Sequence, residues 1–120
     1  MYDRIYKHCA MISQGAKDLL ACKNRNIKMP QKRAMQTINQ YAKRLDYAVQ
    51  SLLSVPAASM QSYIQRQLLD ALTPILGSAE LLAETHSTGL NTCQHLHLEQ
   101  ILSNCADLMT LLSQADETTL

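Results

Sequence analysis

Apolar residues return along the chain at alternating steps of three and four positions, the spacing that lays a stripe down one side of an α-helix. The first stripe reads Ile5, Cys9, Ile12, Ala16 and Leu19, and it fades around Asn24–Arg25–Asn26. Pro30 opens a second, since its fixed φ and missing donor suit a first helical turn. That stripe is Met35, Ile38, Ala42, Leu45, Val49 and Leu52. Ser54–Val55–Pro56 interrupts the pattern, with Pro56 placed to begin a third helix carrying Met60, Ile64, Leu68, Ala71, Ile75, Ala79 and Leu82. A second row there, Leu69, Leu72 and Leu76, widens the apolar face and predicts contact with more than one neighbour. Thr73–Pro74 lies inside this helix, where a proline predicts a kink. Thr85 to Gly89 reads as a turn, and Asn91 with Gln94 three residues on reads as a capping pair. The last stripe is Leu98, Ile101, Cys105, Leu108 and Leu112, and the polar tail from about Gln114 is predicted to fray.

Short connections force consecutive helices antiparallel, so the pattern predicts an all-α, up-down-up-down antiparallel four-helix bundle. It forms a single domain, 1–120, made of a first hairpin over 1–53, a second over 56–113, and a tail, 114–120. Helices of about 20 to 28 residues would span roughly 30 to 42 Å. The same stripes also fit two hairpins pairing between chains, which leaves a homodimer open.

Composition sharpens this reading. The chain has no Trp and no Phe, so its core must be aliphatic; three Gly and three Pro are too few for a turn-rich β architecture. Apolar residues at 47% against 18% charged exclude a disordered chain. No apolar run approaches the roughly 18 residues of a membrane span and no signal-peptide core opens the chain, so no membrane is expected and a cytoplasmic location is the default. Cys9, Cys22, Cys93 and Cys105 each fall within a helical pattern and read as small buried hydrophobes rather than as disulfides.

The net charge of +1 conceals an asymmetry. Residues 1–56 carry ten Lys or Arg against Asp3, Asp18 and Asp46, net +7; residues 57–120 carry Arg66 against seven acids, net −6. The opposed charges could dock the hairpins on each other or present a basic surface to an acidic partner. Lys28, Lys32, Arg33, Lys43 and Arg44 are the basic patch to which a nucleic acid would bind by phosphate contacts.

The run Ile75–Leu76–Gly77–Ser78–Ala79–Glu80–Leu81–Leu82 resembles the end of the first helix in the dimerisation and histidine-phosphotransfer domain of bacterial sensor histidine kinases. Leu98–Glu99–Gln100–Ile101–Leu102–Ser103 and Leu108–Met109–Thr110–Leu111–Leu112 are similar to that family's second helix, so the resemblance covers about residues 60–113. It implies a helical hairpin that docks a response regulator or a kinase. The phospho-acceptor histidine is missing: alignment on Ile75–Leu76–Gly77 puts Arg66 in its place, and alignment on Thr73–Pro74 puts Leu69 there, followed by Asp70. The resemblance therefore implies a degenerate scaffold without the chemistry, docking partners around Arg66, Leu69, Asp70, Thr73 and Pro74 with help from the facing helix near Cys93–His97.

Other chemistry is thin. His95 and His97 point about 200° apart on a helix and cannot share a metal; Cys93 and His97, four apart, could supply two ligands with His86 a conceivable third. The ordinary reading is surface histidines near a helix start, so no metal, cofactor or catalytic residue is expected. His8 and Cys9 are helical neighbours about 100° apart and form no dyad. His8 is the candidate acceptor if the chain resembles a histidine-phosphotransfer protein, but the lysine and glycine usual soon after such a histidine come late, at Lys17 and Gly15. The expectation is a non-catalytic signalling or interaction module, with a small nucleic-acid-associated regulator as the alternative and phosphotransfer through His8 behind both.

Overall fold

The stripes fold as helices: α1 (Tyr2–Ala21), α2 (Met29–Ser54), α3 (Ala58–Glu84) and α4 (Thr92–Thr119). The computed structural model describes the backbone of residues 2–54 and 58–119 and the side chains of 3–51 and 65–113. The break at Val55–Pro56 lies outside the described residues, as do the side chains of the expected stripe positions Leu52, Met60 and Ile64. Contacts join α1 to α2, α2 to α3, α3 to α4 and α4 back to α1, which closes an antiparallel four-helix bundle measuring 48 × 23 × 20 Å. The interfaces between hairpins, α2–α3 and α1–α4, are more extensive than α3–α4 within the second hairpin. A single core therefore serves both halves inside one chain.

Every described stripe residue faces that core. Ile12, Ile38, Leu45, Leu68, Ile75, Leu82, Ile101 and Leu108 are fully buried, as is Leu72 from the second row of α3. Leu69 and Leu76 are half-buried and pack on the same cluster. α3 runs on as one helix through Pro74, with the Thr73 hydroxyl donating to the Leu69 carbonyl at 2.8 Å. α4 continues past Gln114, because no Gly or Pro follows to stop it. Its start is the expected capping pair: Gln94 N–H donates to Asn91 Oδ1 at 2.9 Å, and Asn91 N–H donates back to Gln94 Oε1 at 3.0 Å.

Two close approaches set the packing of α1. Gly15 is buried against α4, where a Cβ would lie 2.9 Å from Ile101 Cγ1. Ser13 donates to Asp46 Oδ2 at 2.6 Å, linking α1 to α2. Gly89, in the α3–α4 turn, has φ +90°, a backbone state that side chains rarely adopt.

Candidate functional sites

At one end of the bundle the α1–α2 turn and the α3–α4 turn are tied together. Asn24 Nδ2 donates to the Gly89 carbonyl and to Gln94 Oε1, both at 2.7 Å. Asn91 Nδ2 donates to the Lys23 carbonyl at 2.9 Å. Gln31, buried at the start of α2, accepts from Lys28 N–H and donates to the carbonyls of His86 and Thr88 at 2.7 and 2.8 Å. A disulfide between Cys22 and Cys93, with Cα atoms 6.0 Å apart, joins the end of α1 to the start of α4.

That bond corrects the reading of all four cysteines as buried hydrophobes. Cys9 and Cys105 fit it: both are free and buried, and burial pushes each thiol up to about 12 from 9.0, with the Asp46 carboxylate adding to the effect at Cys9. Cys22 and Cys93 do not, because they lie 71 residues apart at helix ends that only the closed bundle brings together. His97, one turn along α4 from Cys93, completes the group: its ligand atom and the two sulfurs all lie within 4.8 Å of one another. His86, the conceivable third ligand, is in the α3–α4 turn and outside this group.

The docking residues expected on α3 divide. Arg66, Asp70 and Thr73 are exposed and recur at four and three positions, on one face; Leu69 and Pro74 are half-buried. Asp70 lies about 21 Å along α3 from its end, and His97 about 8 Å from the start of α4. In an antiparallel hairpin they stand about 13 Å apart along the axis, so His97 belongs with the disulfide and not with the α3 face. Asp70 instead shares a groove of about 250 Å³ with Tyr41, Arg44, Gln67 and Ala71, between α2 and α3. The Arg44 guanidinium stacks over the Tyr41 ring, 4.8 Å from its centroid.

All five basic-patch residues, Lys28, Lys32, Arg33, Lys43 and Arg44, are exposed. Lys32 and Lys43 are eleven residues apart, as are Arg33 and Arg44, about three helical turns, so these four form a two-row stripe roughly 16 Å long, its rows about 100° apart around α2. His8 is half-buried on α1, beside Arg4, Lys7, Asp107 and Thr110 in a groove of about 390 Å³. Asn104 donates to the Gln100 carbonyl at 2.8 Å, which turns its oxygen toward His8; His8 Nδ1 then donates to Asn104 Oδ1 at 2.8 Å. In the neutral ring this leaves Nε2 as the nitrogen with a lone pair.

The sequence pattern did not single out Asn24, Gln31 or Asn104. Their roles depend on which helix ends and faces meet, which spacing along one chain does not encode. No described helix is long and apolar enough to cross a membrane. No protein-family model, curated protein or solved structure matches the chain.

Proposed function

We propose that the chain is a non-catalytic interaction module that docks a two-component partner, a response regulator or a histidine kinase, through the α2–α3 face. The observation that carries this reading is the groove where Asp70, expected from the histidine-kinase resemblance, meets Arg44 and its stacked Tyr41. An aromatic ring covered by a guanidinium, with a carboxylate in the same groove, offers a protein surface apolar area and oriented polar contacts, the mixture found at interface centres. Arg66 and Thr73 extend the face along α3. Titration of the full chain with response regulators and kinases tests it: Asp70→Ala and Arg44→Ala should each weaken binding at least about tenfold, a loss of about 1.4 kcal/mol. Their helical circular dichroism should be unchanged. If no regulator or kinase binds, or if both variants bind as the wild type does, the reading fails.

One observation favours a second reading, phosphotransfer through His8. An imidazole whose Nδ1–H is held by Asn104, with Arg4 and Lys7 beside it, is arranged to take a phosphoryl group on Nε2. The Nε2 lone pair would attack the phosphorus of an aspartyl phosphate, the P–O bond would break, and the carboxylate would leave. Incubation with phosphorylated regulators should then yield an acid-labile phosphohistidine, absent in His8→Ala and slower to form in Asn104→Ala. A wild-type chain that takes up no label rules this reading out.

A further inference from the structure

The tied end of the bundle holds two sulfurs and an imidazole, and one detail of that group is not explained by the disulfide. His97 Nδ1 is buried and has no hydrogen-bond partner. Buried ring nitrogens are ordinarily paired, and a disulfide sulfur is too weak an acceptor to serve as one. We propose that Cys22, Cys93 and His97 form a zinc site in the reduced protein, alternating with the Cys22–Cys93 disulfide.

The geometry suits a tetrahedral ion. Cys93 and His97, one turn apart, present their side chains on the same face of α4, and Cys22 approaches from the end of α1. Two thiolates on zinc, at about 2.3 Å each, stand about 3.8 Å apart. Opening the sulfurs from bonded distance therefore takes side-chain rotation without separating the helices. The backbones are held in place by more than the disulfide: Asn24 to Gly89 and Gln94, Asn91 to Lys23, and Gln31 to His86 and Thr88 all bridge the two turns. Reduction thus releases two thiols that stay facing each other beside the imidazole. Cys93 is exposed, so the ion has a path in, and water can fill a fourth position.

The exchange balances. A dithiol reductant transfers two electrons and two protons to the Cys22–Cys93 bond and becomes a cyclic disulfide, leaving two protein thiols. A Zn²⁺ ion displaces the two thiol protons and takes one lone pair from His97. Oxidation by a disulfide oxidant rejoins the sulfurs and expels the ion.

Cobalt, added alone to the full chain after phosphine reduction, is the probe, read by thiolate-to-cobalt charge-transfer absorption. One equivalent should bind to the reduced chain and none to the oxidised chain, with zinc displacing it. Cys93→Ser should lose the band, and Cys9→Ala and Cys105→Ala should keep it. His97→Ala, which retains the disulfide for folding, should bind at least about tenfold more weakly once reduced. Any of three results overturns the site: a reduced chain without the band, a band in the oxidised chain, or unchanged affinity in His97→Ala. Should reduction lower helicity, zinc must restore it, and failure to do so overturns the proposal equally.

Discussion

Gly15 and Gly77 both sit inside helices, yet alanine should act on them in opposite directions. Nothing lies within 4 Å of a Cβ at Gly77, which is exposed, so Gly77→Ala gains helix propensity and should raise stability by up to about 1 kcal/mol. At Gly15 the added carbon meets Ile101 Cγ1, an atom close to its own backbone, and overpacking of this kind costs about 1–3 kcal/mol. Denaturant midpoints should therefore rise for Gly77→Ala and fall for Gly15→Ala; a rise in both would mean α1 can move off α4 freely. The thiols of Cys9 and Cys105 make a pH prediction at the same scale. Their folded values, about 12, lie above the 9.0 of an exposed thiol, so the unfolded chain releases these protons first as pH rises. The stability they confer is complete below pH 9 and is lost toward pH 12. Cys9→Ala/Cys105→Ala should flatten the alkaline fall in unfolding free energy, by up to about 1.4 kcal/mol per pH unit for each thiol. An unchanged slope would show that the two thiols titrate alike in both states. The same two residues mark what single positions disclosed: as stripe members their burial was legible, whereas identical chemistry at Cys22 and Cys93 led to a bond that the stripe does not encode.

Hydrogen bonds and a disulfide between helix ends tie the two turns at one end of the bundle, and they separate what the sequence disclosed from what it did not. The Asn91–Gln94 cap was legible because both partners lie within one turn of chain. The bonds that Asn24, Gln31 and Asn91 make to the opposite turn span 55 to 70 residues, a pairing set only when antiparallel helices bring their ends level. The α3 residues Arg66, Asp70 and Thr73 were picked out by the family resemblance and not by spacing, and their groove with Tyr41 and Arg44 required knowing that α2 lies beside them. Two element-scale predictions follow from these ties. Asn91→Ala removes a cap and the bond to Lys23 together, so its cost should exceed the roughly 1 kcal/mol of a cap alone. Thermal melts of the variant check it, with Thr92→Ala, beside the cap, as the comparison. Reduction of Cys22–Cys93 frees a loop of 71-residue separation in the unfolded chain, and loop-closure entropy puts the loss at up to about 4 kcal/mol. Denaturation with and without reductant in a chelator measures it; equal midpoints would mean that the disulfide leaves the unfolded ensemble unconstrained.

Across the whole molecule, the first hairpin, with most of its basic excess on α2 and the α1–α2 turn, forms one broad side and the acidic helices α3 and α4 the other, since each helix contacts its sequence neighbours and α4 returns to α1. A net charge of +1 therefore gives little attraction at long range, and a polyanion must find the basic side at short range. The basic patch on that side offers a defined number of contacts: Lys32, Arg33, Lys43 and Arg44 in the two-row stripe, with Lys28 just before α2 begins. If a nucleic acid binds there, five neutralised phosphates limit the slope of log affinity against log salt to about −4.5 on duplex DNA. Removing Lys43 and Arg44 should reduce it to about −2.7, since three contacts then remain. Fluorescence anisotropy with a short labelled duplex over a salt series reads both values. A steep slope that collapses in the double variant would assign the basic side to nucleic acid and leave the α2–α3 groove without its proposed protein partner, because Arg44 would serve the duplex. A weak, shallow dependence indifferent to Lys43 and Arg44 would mean that the stripe is a solvated face, and that Arg44 is free to act with Tyr41 and Asp70 at the groove.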